Sequence, residues 1–321
     1  MKLRVNRLQN AAHGDVCLAG SERFTHPRFL GIESHEWEMD EESLSGTLHA
    51  MIKGTPRWSD ISLQQIADES GHPVALMTGY REHGSNIFKH VLGAFIAIIV
   101  DQSNDCTLIA TDRLGIQSLF YTVTEKTLVF GERADMIAAH PNVTRELSPQ
   151  GLYNYLYFHV VPGPGSIFKN INRLLPGHML EAREDGIRVT PYWKVQYDTS
   201  AKDKSEDLLK ENFLGLVQDA VKQSVEEAVG PVGAFLSGGT DSSTVAGMLA
   251  KIQPGEARTY SIGFDAPGYD EMEYARIASR HFSTKHHEYY VTPSDVTEAV
   301  PRIAASVDQP FGNASIVPGY Y

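Results

Sequence analysis

The pattern of apolar and polar positions changes character along the chain. Up to about residue 60 the apolar positions are scattered and form few long periodic runs. Helical spacing then predicts helices over Ser62–Ser70 and Val74–His83. From Gly93 the pattern predicts strands. Gly93–Val100 is an uninterrupted buried run, Asp101–Asp105 a polar turn, and Cys106–Thr111 a second strand. Gln117–Val123 and Thr127–Gly131 repeat the arrangement about a Thr-Glu-Lys turn, which predicts two hairpins forming a meander in one sheet.

Beyond the polar stretch Thr199–Lys204 the pattern alternates between helix and strand. Glu211–Val229 places Phe213, Val217, Ala220, Val221, Val225 and Ala228 on one face, with Gln218, Lys222 and Glu226 on another. Three strand–helix units follow: Val232–Leu236 with a helix from Ser243 to Lys251, Arg258–Phe264 with Glu271–Phe282, and His286–Val291 with Asp295–Ser306. This alternation predicts a parallel, doubly wound sheet, with ligands at the carboxyl ends of its strands.

The first unit carries the candidate chemistry. Its strand breaks into Ser237-Gly238-Gly239-Thr240-Asp241-Ser242-Ser243 and opens a helix. Two glycines let the backbone bend sharply and approach a ligand. Amides at a helix start make an anion site, to which Ser237, Ser242 and Ser243 add hydroxyl donors. Asp241 would repel phosphate unless a divalent cation lay between them, so it is a candidate Mg²⁺ ligand. No Gly-Lys-Ser/Thr follows, which separates the turn from a Walker loop.

Composition narrows the options. The 321 residues suffice for two cores, and 42% hydrophobic with 21% charged residues is ordinary for a globular protein. A net charge of −12 disfavours nucleic acid and anionic membranes as partners. The two cysteines, Cys17 and Cys106, give neither a disulfide framework nor zinc spacing. With no apolar leader and no membrane-length run, a cytoplasmic location is expected. His286-His287 lie on a strand and point to opposite faces, which argues against a shared zinc.

The Ser-Gly-Gly-Thr-Asp-Ser turn resembles the pyrophosphate loop of the ATP pyrophosphatases, and its surroundings resemble the asparagine synthetase family. Thr259–Phe264, Asp270-Glu271 with Ala275, and His286-His287-Glu288 are similar to family segments, as are Asp308–Phe311 and Ser315–Pro318 near the acyl-acceptor pocket. Upstream, Leu92–Phe95, Thr111–Ile116, Leu119–Tyr121, Phe130–Glu132, Leu174–His178 and Tyr192-Trp193 resemble the glutaminase half and its junction. Asp112 and Arg113 are expected to pair near their turn, Gly115 to take an unusual backbone angle, and Asp270 to cap a helix.

The resemblance implies an α+β Ntn-hydrolase-like sandwich over residues 1–200, followed by an incomplete α/β ATP pyrophosphatase domain over 201–321. It implies ATP and Mg²⁺, with Leu236 and Ile262 flanking the adenine and Ser237, Gly238, Gly239, Asp241, Ser242 and Ser243 at the phosphates. A carboxylate becomes an acyl-adenylate, which ammonia or an amine attacks. The carboxylate belongs to a small molecule or a peptide.

Two departures shape the expectation. The family's catalytic cysteine follows the initiator Met, whereas position 2 is Lys2, and no Asn-Gly-Glu element occurs, so glutamine hydrolysis is not expected. The family's second Ser-Gly-x-Gly-x-Asp-Glu loop and its downstream acid–base residues are not in this sequence, so no catalytic residue is assigned and the chain alone is expected to be inactive. The chain is then expected to be a truncated or partial amide-forming ligase. The alternative is a non-catalytic ATP-binding pseudoenzyme or half of a split ligase. An open sheet edge and an apolar tail invite association as a homodimer or with a complementing C-terminal half. A sulfurtransferase acting on tRNA is disfavoured by the charge and by the absence of a cysteine near the loop.

Overall fold

The computed structural model describes residues 17–20, 27–30, 37–39, 47–124, 127–197, 205–228, 230–265, 270–313 and 315–321. The stretch Thr199–Lys204, Glu125 and Lys126 of the hairpin turn, and Val229, Tyr269 and Ala314 lie outside the described residues. The chain forms two compact units, Met1–Val195 with Val307–Gly312, and Gln196–Ser306 with Asn313–Tyr321. Among the described residues no helix is long and apolar enough to cross a membrane.

The first unit runs β1 (Cys17–Gly20), β2 (Pro27–Leu30), β3 (Trp37–Met39), β4 (Leu48–Trp58), α1 (Ile61–Ser70), α2 (His72–His83), a 3₁₀ segment (Gly84–His90), β5 (Val91–Asp101) and β6 (Cys106–Thr111). It continues with β7 (Phe120–Thr124), β8 (Thr127–Gly131), α3 (Ala134–Ala138), α4 (Pro149–Phe158), β9 (Asn172–Arg173), β10 (His178–Arg183) and β11 (Gly186–Pro191). One antiparallel sheet has the order β2-β1-β8-β7-β9, and the other β11-β10-β6-β5-β4-β3.

The alternation along β5 explains its unbroken apolar run. Phe95, Ala97 and Ile99 pack with Leu63 and Leu76 of the helices, while Ile96, Ile98 and Val100 meet Leu128 and Phe130 of the other sheet. A strand covered on both faces has no polar side to show in its sequence. Phe120 and Val129 bury their side chains with Ala134 and Ile137 of α3, so the layers run helix, sheet, sheet, helix.

The expected single-sheet meander is corrected here. The β5–β6 hairpin belongs to the six-stranded sheet and β7–β8 to the five-stranded one. The chain crosses between them through a loop built on Asp112, whose carboxylate accepts the amides of Leu114, Ile116 and Gln117 at 2.9–3.0 Å. Asp112 therefore does not pair with Arg113. That guanidinium donates to the Lys89 carbonyl at 2.9 Å and lies 5.5 Å over the Trp193 ring. Gly115 takes φ +67°, and a Cβ there would sit 2.8 Å from Pro176.

The second unit runs α5 (Glu206–Glu227), β12 (Gly233–Phe235), α6 (Thr240–Ile252), β13 (Arg258–Phe264), α7 (Met272–Phe282), β14 (Lys285–Val291), α8 (Pro293–Ser306) and α9 (Ile316–Tyr320). Its sheet is parallel, in the order β12-β13-β14. Ala234 and Leu236 bury their side chains with α6 and α7 residues on one face, and Ile262, Phe264 and Val291 pack with Ala299, Ile303 and Val317 on the other. The apolar face expected along α5 is covered only at its C-terminal half. Val221 and Val225 pack on the core of Ala234 and Leu249, whereas Phe213 is 62% exposed.

Candidate functional site

At the carboxyl end of β12 the chain turns through Ser237-Gly238-Gly239 into α6, which starts at Thr240 with Gly239 as its N-cap. The serines hold the turn. Ser237 donates its amide to the Ser242 hydroxyl at 3.1 Å, the two hydroxyls lie 3.0 Å apart, and the Gly239 amide donates to Ser237 Oγ at 3.3 Å. Gly238 has φ +81°, and a Cβ there would lie 2.4 Å from Tyr274 Cβ and 2.6 Å from the Ala275 nitrogen. Only glycine lets the turn tuck this closely under α7.

No side chain caps α6. The amides of its first turn have no intrahelical acceptor and form its positive pole. Asp241 is exposed on that turn, and the Ser243 amide donates to the Gly239 carbonyl at 3.0 Å. Among the described residues no three His, Cys, Asp or Glu gather as a metal cage.

Beside the turn is a cavity of about 450 Å³. Leu236, Ser237 and Ile262 border it, together with Met272, Ala275 and Pro318. Leu236 is fixed by donating its amide to the Tyr260 carbonyl at 2.8 Å and by accepting the Ser261 hydroxyl on its own carbonyl. Gly238, Gly239, Asp241, Ser242 and Ser243 lie on the adjoining turn and the start of α6 rather than in the cavity wall. The second unit is thus an α/β domain with an anion-type turn and a cavity at the carboxyl ends of its strands.

Asp270 does not occupy the N-cap of α7. That position is Glu271, which makes no side-chain capping bond, and Asp270 instead accepts the Met272 amide at 3.3 Å and the Tyr290 hydroxyl at 3.2 Å. Glu271 borders the cavity, a role that the match of Asp270-Glu271 to a helix start did not assign. The available signal was an acidic residue opening a helix after a parallel strand.

The remaining motifs hold structure. His286 meets the Thr259 hydroxyl at 2.9 Å while His287 stacks on Tyr260, so the two rings lie on opposite faces of the sheet. Burial depresses the His286 pKa. In the first unit Asp308 Oδ2 accepts the Ala134 amide at 2.8 Å, and burial raises its pKa. Gln309 accepts the Ile167 amide at 2.9 Å. Ser315 and Pro318 border the cavity of the second unit. Cys106 is buried and its thiol is pushed up to about 11, which keeps it protonated and unreactive at neutral pH.

Comparison with known proteins follows the same division. Residues 212–321 match the asparagine synthase family, and residues 68–193 match the glutamine amidotransferase domain. The chain is 32% identical over 248 residues to putative asparagine synthetase [glutamine-hydrolyzing] 2 of Methanocaldococcus jannaschii, covering 75% of this chain and 47% of that protein. Asparagine synthetases 1 and 3 of Bacillus subtilis are 26% and 29% identical, over 77% and 73% of this chain and 38% and 40% of their own lengths. The chain belongs to the asparagine synthetase family, and it spans less than half the length of these relatives.

Proposed function

We propose that the second unit binds Mg·ATP and serves ATP-dependent amide-bond formation on a small-molecule or peptide carboxylate, with ammonia or an amine as nitrogen donor. The observation that carries this reading is the Ser237–Ser243 turn: an uncapped helix N-terminus, fixed by a glycine that tolerates no Cβ, beside a largely apolar cavity. About 450 Å³ falls within the range of small-ligand sites.

The residues fit the group they would hold. The amides of Gly238 and of the first turn of α6, with the Ser243 hydroxyl, suit a chain of phosphates passing Gly239, and the apolar side chains of Leu236 and Ile262 suit a planar base. Asp241 would be the protein's carboxylate on Mg²⁺, which commonly takes one or two carboxylates and completes its shell with phosphate and water. When bound, ATP supplies the adenylyl group that activates a carboxylate. The chain's own part is to grip the phosphates, orient the nucleoside and keep water from it.

For the first unit we propose that glutamine is not its nitrogen source. The support is chemical: no Asn-Gly-Glu triplet occurs in the sequence, and the buried Cys106 thiol is held protonated. We also propose a cytoplasmic location and association with a complementing half or a second copy.

Titration of the chain with Mg·ATP, followed by ATP–pyrophosphate exchange with candidate acids, tests the proposal. Saturable binding that Asp241→Ala weakens supports it. Absence of binding in the presence of Mg²⁺ sinks it. Binding without exchange under any acid favours the non-catalytic reading, and ammonia released from glutamine would overturn the assignment for the first unit.

A further inference from the structure

The cavity beside the Ser-Gly-Gly turn is electrically lopsided. At one end stands the positive pole of α6, and Glu271 is the sole charged residue on the wall among the described residues. The other polar groups there are largely engaged. The Ser237 hydroxyl is bound to Ser242, the Ser261 hydroxyl donates to the Leu236 carbonyl, and the Tyr260 ring stacks on His287.

Glu271 is different. A short polar side chain at the start of a helix ordinarily accepts the amides of the following turn. Here Asp270 takes the Met272 amide, and Glu271 makes no capping bond. Its side chain is exposed and makes no hydrogen bond or ion pair within the described residues, so no capping bond of α7 occupies it. An ionised carboxylate only accepts hydrogen bonds. It repels phosphate and attracts neutral N–H and O–H donors.

We propose that Glu271 is a specificity-determining residue that accepts a hydrogen bond from the nucleoside end of the ligand, from a ribose hydroxyl or the exocyclic amine of the base. This rests on the nucleotide reading given above. Together with the α6 terminus it orients the ligand, with phosphates toward the turn and the donor-bearing nucleoside toward α7. Both sources offer the same chemistry to the carboxylate, and analogues separate them.

The test is equilibrium binding to the full chain with Mg²⁺, by calorimetry, of ATP, 2′-deoxy-ATP, 3′-deoxy-ATP and inosine triphosphate, whose base carries a carbonyl in place of the amine. The wild-type chain should prefer ATP over at least one analogue by roughly ten-fold or more, the range of a net hydrogen bond to a charged group. In Glu271→Ala that same preference should fall to within about two-fold, because the acceptor that reads the ligand's donor is gone. Glu271→Gln keeps an acceptor and should fall between, which provides a second variant if the alanine chain is unstable. The affinity ratio, rather than affinity itself, is the readout, since removing a negative charge can tighten all four ligands together. Ratios unchanged in both variants, or no preference in the wild-type chain, overturn the inference while leaving nucleotide binding intact. Failure of the wild-type chain to bind any of the four overturns the nucleotide reading itself.

Discussion

Replacing Gly238 by alanine should cost the second unit both stability and its ligand. The backbone there has φ +81°, in the left-handed region, where an L side chain costs roughly 1–2 kcal/mol. The added methyl would also lie 2.4 Å from Tyr274 Cβ and 2.6 Å from both the Tyr274 carbonyl carbon and the Ala275 nitrogen. Two of those atoms are α7 backbone, so no rotamer change can clear the clash. Overpacking of this kind costs typically about 1–3 kcal/mol. The sum is about 2–5 kcal/mol, released by prising α7 off the turn and opening the cavity wall that Met272 and Ala275 supply. Gly239→Ala is the matched control. Its φ of −69° is ordinary, and its added Cβ would meet only Ser237 Oγ, at 3.4 Å. Urea unfolding followed by circular dichroism, with Mg·ATP titration of each variant, separates the cases. Gly238→Ala should unfold at markedly lower urea and bind nucleotide weakly or not at all, while Gly239→Ala should stay within about 1 kcal/mol of the parent, as expected for an unstrained site. If the two variants behave alike in both assays, the argument from the Gly238 backbone is wrong.

Asp241→Asn should weaken Mg·ATP binding about ten-fold or more, a modest share of one metal–carboxylate contact, and should cost at most about 1 kcal/mol of stability, because its exposed carboxylate meets only the positive pole of α6; equal Mg·ATP affinity would remove Asp241 from the metal site. Asp308→Ala leaves the Ala134 amide without its acceptor and should destabilise the first unit by about 1–3 kcal/mol. Asp308→Asn keeps an acceptor and removes a charge that burial already disfavours, so it should cost less, and a urea midpoint as low as that of the alanine variant would refute this. Burial lowers the pKa of His140, whose neutral Nδ1 accepts the Asn142 amide at 3.2 Å. The unfolded chain then binds the extra proton first, so this contribution is complete above about 6.5, the ordinary value, and is lost as pH falls from there through the lower folded value. Unfolding free energy measured from pH 7.5 to pH 5 should decline more steeply in the parent than in His140→Asn; parallel declines would exclude the effect.

The parts of this protein that its sequence determines are those carried by neighbouring residues. The Ser-Gly-Gly turn between β12 and α6, the strand β13, and the order of strand and helix in the second unit follow from local periodicity and from glycines at positions where the backbone must bend. The strand β4 was not legible, because Gly54 and Pro56 interrupt it and its burial does not alternate. It is a strand through its eleven-residue pairing with β5. The same holds for the division of the two hairpins between two sheets, which depends on where Asp112 fastens the connecting loop. Phe213 and its neighbours on α5 show the converse: an amphipathic stripe marks a face that could be buried, and only tertiary packing decides how much of it is. Glu271 belongs with these. Its chemistry is plain in the sequence, but its place in the cavity wall arises because Asp270 satisfies the start of α7 and because the parallel sheet sets that start at the carboxyl end of β13. Local sequence specifies what each segment can do, and long-range packing selects which of those capacities is used.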